Sequence, residues 1–169
     1  MNTYASRGNT MRPGADVARQ AALLWEIAGF VFIVGVGAAL HYAFEWSGRF
    51  ALIAPFVPVN ESVWEHLKLA FWPALVWALF EGNPLHGMVN NFRLAKSVGI
   101  TLMPLIIVVL FYGYTAAMGE DVLWLDIATF VIAVAAGQIV SYRLMTGDER
   151  APELNRAAPV LIILLAVLF

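Results

Sequence analysis

Four stretches of this chain are each about as long as a bilayer is thick, and they leave room for few other folds. They run over Leu24–Trp46, Glu61–Phe80, Val98–Met118 and Val122–Met145. A transmembrane helix needs about 20 mostly apolar residues. The second stretch starts polar and turns apolar from Leu67. A fifth run, Ala157–Phe169, has 13 residues. It would rise about 20 Å as a helix, short of a hydrocarbon core of about 30 Å. A chain end there would place a carboxylate in lipid, so the expectation is a chain truncated after Phe169; the other reading is a half-span packed on its neighbours. The fold class expected is all-α: a polytopic transmembrane helix bundle with four full spans and a fifth partial or truncated one. Composition agrees, because 61% of residues are hydrophobic and 13% charged, against about 25% charged in soluble domains.

Residues 1–22 are polar, basic and Gly/Pro-containing. They read as a mobile cytoplasmic tail ahead of one transmembrane domain over 23–169. The apolar run after the tail is too long for a signal peptide and lacks a small-residue cleavage site. The chain has no cysteine, which excludes disulfides, thiolate metal sites and iron–sulfur clusters. A net charge of −2 gives no case for nucleic acid. The partners expected are the lipid bilayer and a homo-oligomer or larger membrane complex.

Orientation follows from the basic residues. Arg7, Arg12, Arg19, Arg93, Lys96, Arg143, Arg150 and Arg156 fall on one side of the expected spans; Arg49 and Lys68 fall on the other. The first side is then cytoplasmic, with the N-terminus inside. Gly35 with Ala39, and Ala133 with Gly137, form small-residue stripes suited to close helix approach. Pro73 and Pro104 lie inside spans and predict kinks.

Chemistry concentrates at the outer end of spans 1 and 2. His41 and Glu45 are four apart, as are Glu61 and Glu65, so each pair shares a helix face. His66 follows Glu65 and points about 100° away from it. The two histidines fall at a similar depth, roughly 8–9 Å from the span ends. Asn60 reads as the cap of the second helix, Lys68 as a snorkelling partner for Glu65 or Glu61, and Asp126 as a buried acid entering from the same side. Two imidazoles and several carboxylates without sulfur suit zinc, manganese, iron or magnesium. The candidate ligands are therefore His41, Glu45, Glu61, Glu65 and His66. Neither Glu-x-x-His nor His-Glu-x-x-His spacing is present, and haem on the two histidines is disfavoured by the acidic surroundings. A second reading stands beside the metal: a polar network that satisfies only itself.

The segments HYAFEWSG (His41–Gly48) and PVNESVWEHLK (Pro58–Lys68) resemble a family of small, uncharacterised prokaryotic multi-spanning membrane proteins, from about Trp25 onward. The resemblance implies a helical membrane fold and no particular activity. It also implies a tail beyond the fifth span, which agrees with the expected truncation. Three functions remain open: an outward-facing His/carboxylate site for a divalent cation or polar substrate, a membrane-embedded metal-dependent enzyme acting on a lipid head group, and a non-catalytic accessory subunit of a membrane complex.

Overall fold

A computed structural model describes residues 14–169. Four long helices carry the fold: α1 (Ala15–Trp46), α2 (Val63–Leu85), α3 (Phe92–Met118) and α4 (Leu123–Thr146), followed by α5 (Pro152–Ala157) and α6 (Pro159–Leu168). The chain is all-helical among the described residues, apart from loops and a 3₁₀ turn at Ala51–Ile53. Short connections make consecutive helices antiparallel. Each long helix packs on two others in the cyclic order α1, α2, α3, α4. One end of this ring carries the loops 47–62 and 119–122, and the opposite end carries 86–91 and 147–151.

α1, α3 and α4 are long and apolar enough to cross a membrane, which marks the chain as a membrane protein. α2 has 23 residues but carries Glu65, Lys68 and Glu81, and so falls outside that group of three. Its charged residues do not face outward: Lys68 is 4% exposed and Glu81 fully buried. Around the bundle the pattern of a soluble protein is reversed. Val31, Leu79, Val109 and Ile132 are exposed, whereas Glu26, Lys96, Ser97, Gln138 and Ser141 are buried. A surface of this kind suits lipid, where large apolar side chains cost nothing outside and polar groups must find partners inside.

The core is built from Ile33, Leu67, Ala70, Phe71, Ala74, Met103, Ala133 and Val134. α3 and α4 touch backbone to backbone at Gly99 and Gly137, where a Cβ on either residue would lie 2.7 Å from the other's carbonyl oxygen. That approach is what the small-residue stripe of α4 supplies. In α1 the stripe is shifted from the expected one: Gly37 meets Leu69 of α2, whereas Gly35 faces open space. Pro73 and Pro104 are both inside helices and buried.

Two expectations about the chain ends meet the structure differently. α1 has already begun at Ala15, so residues 15–22, expected to lie in the tail, are helical. The rest of the expected tail lies outside the described residues. The last apolar run is α6, and it continues α5 almost without a break, because Ala158 keeps helical dihedrals (φ −54°, ψ −38°) between them. Pro159 removes one amide at the junction. Pro152–Leu168 therefore rises about 25 Å along α3. Phe169 reaches the rings of Phe71 and Trp64, at centroid distances of 5.1 and 5.4 Å. Extension by α5, invisible in the hydropathy of the last 13 residues, carries this segment to the loop 47–62 end.

Candidate metal centre

The N-terminus of α2 is organised by Ser62. Its hydroxyl caps the helix by accepting from Glu65 N (3.3 Å), and its own amide donates to Asn60 Oδ1 (2.9 Å). Asn60 is thus not the expected cap but sits two residues before it, holding the approach to the helix. Glu61 lies between the two and His66 in the first turn. The His66 Nδ1–H donates to Ser62 O at 2.8 Å. This contact commits Nδ1 as the donor and turns Nε2 toward Glu61 Oε2, 3.4 Å away. His41, near the end of α1, places its ring 5.1 Å from the His66 ring at 39°.

His41, Glu61 and His66 each offer a ligand atom, and those atoms all lie within 4.8 Å of one another. Neutral His66 would direct a lone pair from Nε2 at a carboxylate oxygen, so two acceptors face each other. A cation between them removes the conflict, either a proton on the ring or a metal ion. Two imidazoles and one carboxylate leave a tetrahedral ion one open position. The Ser62 carbonyl, bonded to the remote ring nitrogen, is the kind of outer partner that orients a ligating histidine. His41 and Glu61 border a small cleft of about 60 Å³, with Glu45 and Asn60 also on its wall. His41 and His66 are partly buried and Glu61 is exposed.

The other candidate ligands are committed elsewhere. Glu45 pairs with exposed Arg49 at 3.0 Å, one helical turn on. Glu65 accepts from Lys68 Nζ at 2.8 Å and from Val59 N at 3.1 Å. Lys68 also donates to Ala54 O (3.0 Å), and Trp72 Nε1 donates to Pro55 O (2.9 Å). The loop 47–62 is therefore pinned to one face of α2 rather than hanging free as a lid. Its Phe50, Leu52 and Phe56 remain exposed. Asp126 accepts from the Tyr114 hydroxyl and ties α4 to α3, apart from the histidines.

A second polar group, not singled out by sequence spacing, lies toward the opposite end of the bundle. Lys96 Nζ of α3 is 2.8 Å from Glu26 Oε1 of α1 and 2.6 Å from Glu81 Oε2 of α2. All three are buried. Nearby, Gln138 Nε2 of α4 donates to Glu26 O (3.0 Å) and Trp77 Nε1 of α2 to Trp25 O (3.2 Å). Gly29 permits both contacts, since a Cβ there would lie 2.4 Å from each of those nitrogens. A signal existed: Glu81 and Lys96 stand equally far from the ends of α2 and α3 that flank the 86–91 loop, so an antiparallel hairpin brings them level. That loop is itself stapled to the chain after α4. Asn91 donates to Leu144 O and Asp148 O and accepts from Arg150 N, while Asn90 N donates to Met145 O.

No curated protein and no solved structure matches this chain. Residues 17–169 match one family model, and the chain belongs to that family of unknown function, DUF6512.

Proposed function

We propose that the protein is an integral membrane protein that binds a divalent transition-metal ion on His41, Glu61 and His66. The observation that carries this reading is the convergence of those three side chains from α1, the loop 47–62 and α2, with the His66 Nε2 aimed at the Glu61 carboxylate. Nitrogen and oxygen donors without sulfur favour zinc, manganese or iron(II) over softer ions.

In this reading α2 is the fourth span. It is long enough, at about 34 Å for its 23 residues, and its charged side chains point into protein rather than lipid. The membrane is the prokaryotic cytoplasmic membrane, with the 86–91 and 147–151 loops inside. Arg19, Arg93, Lys96, Arg143, Arg150 and Arg156 gather toward that end, against Arg49 and Lys68 at the other. The metal site then faces outward.

One observation favours a second reading, a metal-dependent reaction on a lipid head group. Three donors would leave a bound ion one open position, and the loop 47–62 that supplies Glu61 leaves Phe50, Leu52 and Phe56 exposed. In it the ion would activate water or polarise a phosphoryl or carbonyl oxygen.

Elemental analysis of the gently purified protein tests the metal site. About one zinc, manganese or iron per chain is expected, lost in His41→Ala and in His66→Ala. Wild-type protein without stoichiometric metal, and unable to take it up on titration, refutes the proposal. Labelling of single cysteines at residues 48 and 87 tests the orientation, which fails if both react from the same side.

A further inference from the structure

The group formed by Glu26, Glu81 and Lys96 contains two acids and one base, each from a different helix. Glu26 is 3% exposed, Glu81 0% and Lys96 5%. The single ammonium contacts one oxygen of each carboxylate. Glu26 Oε2 and both Glu81 oxygens are buried and accept no hydrogen bond, Glu81 Oε2 meeting the ammonium only as an ion pair. With every group ionised, the cluster would carry one uncompensated negative charge in a setting that excludes water. Burying an unpaired charge costs several kcal/mol even after relaxation.

Among the described residues no second cation contacts the group. From α1 the other charged groups toward this end are Asp16 and Arg19, from α3 Arg93, from α4 Arg143 and from α5, which packs on α3, Glu153 and Arg156, all exposed. α2 presents Glu81 alone at this end, with His86 exposed just beyond it. α4 faces the cluster with neutral groups, Gln138 and Ser141, and with half-buried Tyr142. A metal ion is disfavoured because Lys96 already occupies the space between the carboxylates. The small cation that fits is a proton.

We propose that Glu26, Glu81 and Lys96 form a proton-binding site, in which the two carboxylates together hold one exchangeable proton against one ammonium. Binding is a simple transfer: a carboxylate oxygen takes a proton from hydronium and releases water. The unpartnered oxygens are the places where it can reside. Glu81 and Lys96 lie about 6 Å, one helical turn, from the 86–91 loop, the end of the bundle nearer to the site. Because the acids belong to α1 and α2 and the base to α3, occupancy sets how tightly three helices are held together.

Infrared spectroscopy of the full chain in lipid bilayers at neutral pH reads the site directly. The expected wild-type spectrum contains the carbonyl stretch of one protonated carboxylic acid per chain, shifted on transfer to D₂O. Glu81→Gln leaves Glu26 balanced by Lys96, and Glu26→Gln leaves Glu81 balanced by Lys96, so the band should vanish in each. Should Glu26→Gln fail to fold, Glu81→Gln decides alone, since its amide imitates the neutral acid. Absence of the band in wild type, its survival in a folded variant, or a band that never shifts in D₂O overturns the proposal.

Discussion

Replacing Lys96 by methionine is the most demanding test of how this bundle is held together. Methionine keeps most of the length and volume of the side chain and removes only the ammonium. The charge lies 2.8 Å from Glu26 and 2.6 Å from Glu81. At an effective dielectric constant of about 20, each contact is worth about 6 kcal/mol of gross attraction. Only an ionised carboxylate gains that attraction, and most of it offsets the cost of removing that carboxylate and the ammonium from water. The loss expected from breaking a buried pair is therefore about 3–5 kcal/mol. Unfolding in mixed micelles with increasing SDS, followed by circular dichroism, measures it. The double variant Glu26→Gln with Glu81→Gln, combined with Lys96→Met, should regain most of the loss, because no buried charge then lacks a partner. A Lys96→Met penalty under about 1 kcal/mol, or a combined variant no more stable than Lys96→Met alone, would show that the ion pairs do not govern the packing.

The metal site and its neighbours separate in the same way. Glu65→Gln should leave metal stoichiometry unchanged, yet cost about 1.5–3 kcal/mol by depriving buried Lys68 of its counter-charge; a loss of metal would show that Glu65 is a ligand after all. Gly137→Ala should destabilise by about 1–3 kcal/mol through contact with the Gly99 carbonyl and Met103, whereas Gly35→Ala, with nothing within 4 Å, should be neutral or slightly stabilising; equal melting temperatures for the two would contradict the α3–α4 crossing. For Tyr114 and Asp126, a double-mutant cycle with Tyr114→Phe and Asp126→Asn should give a coupling of about 1.5–3 kcal/mol, the range for a hydrogen bond to a charged acceptor; additive effects would mean that the two act independently.

Hydropathy alone was enough to read α1, α3 and α4 as span-length helices, because a helix that meets lipid must be apolar over a set length whatever it packs against. The same holds for the clustering of polar residues where α1 ends and α2 begins. Sequence spacing could bring His41 and His66 to one depth, since a hairpin of two helices leaves few other arrangements. It could not tell which acids would be taken by bases. Glu45 and Glu65 looked equivalent to Glu61 until the backbone placed Arg49 and Lys68 within reach of them. Nor could it find the cap, because Asn60 and Ser62 are both good caps and only the turn geometry selects Ser62. Glu26, Glu81 and Lys96 are 15 or more positions apart in sequence and each alone resembles an ordinary charge near a span end. The sequence by itself determined a helical membrane chain and its polar end. Tertiary structure decided which charges meet, because a buried charge is stabilised by partners that only packing brings to it.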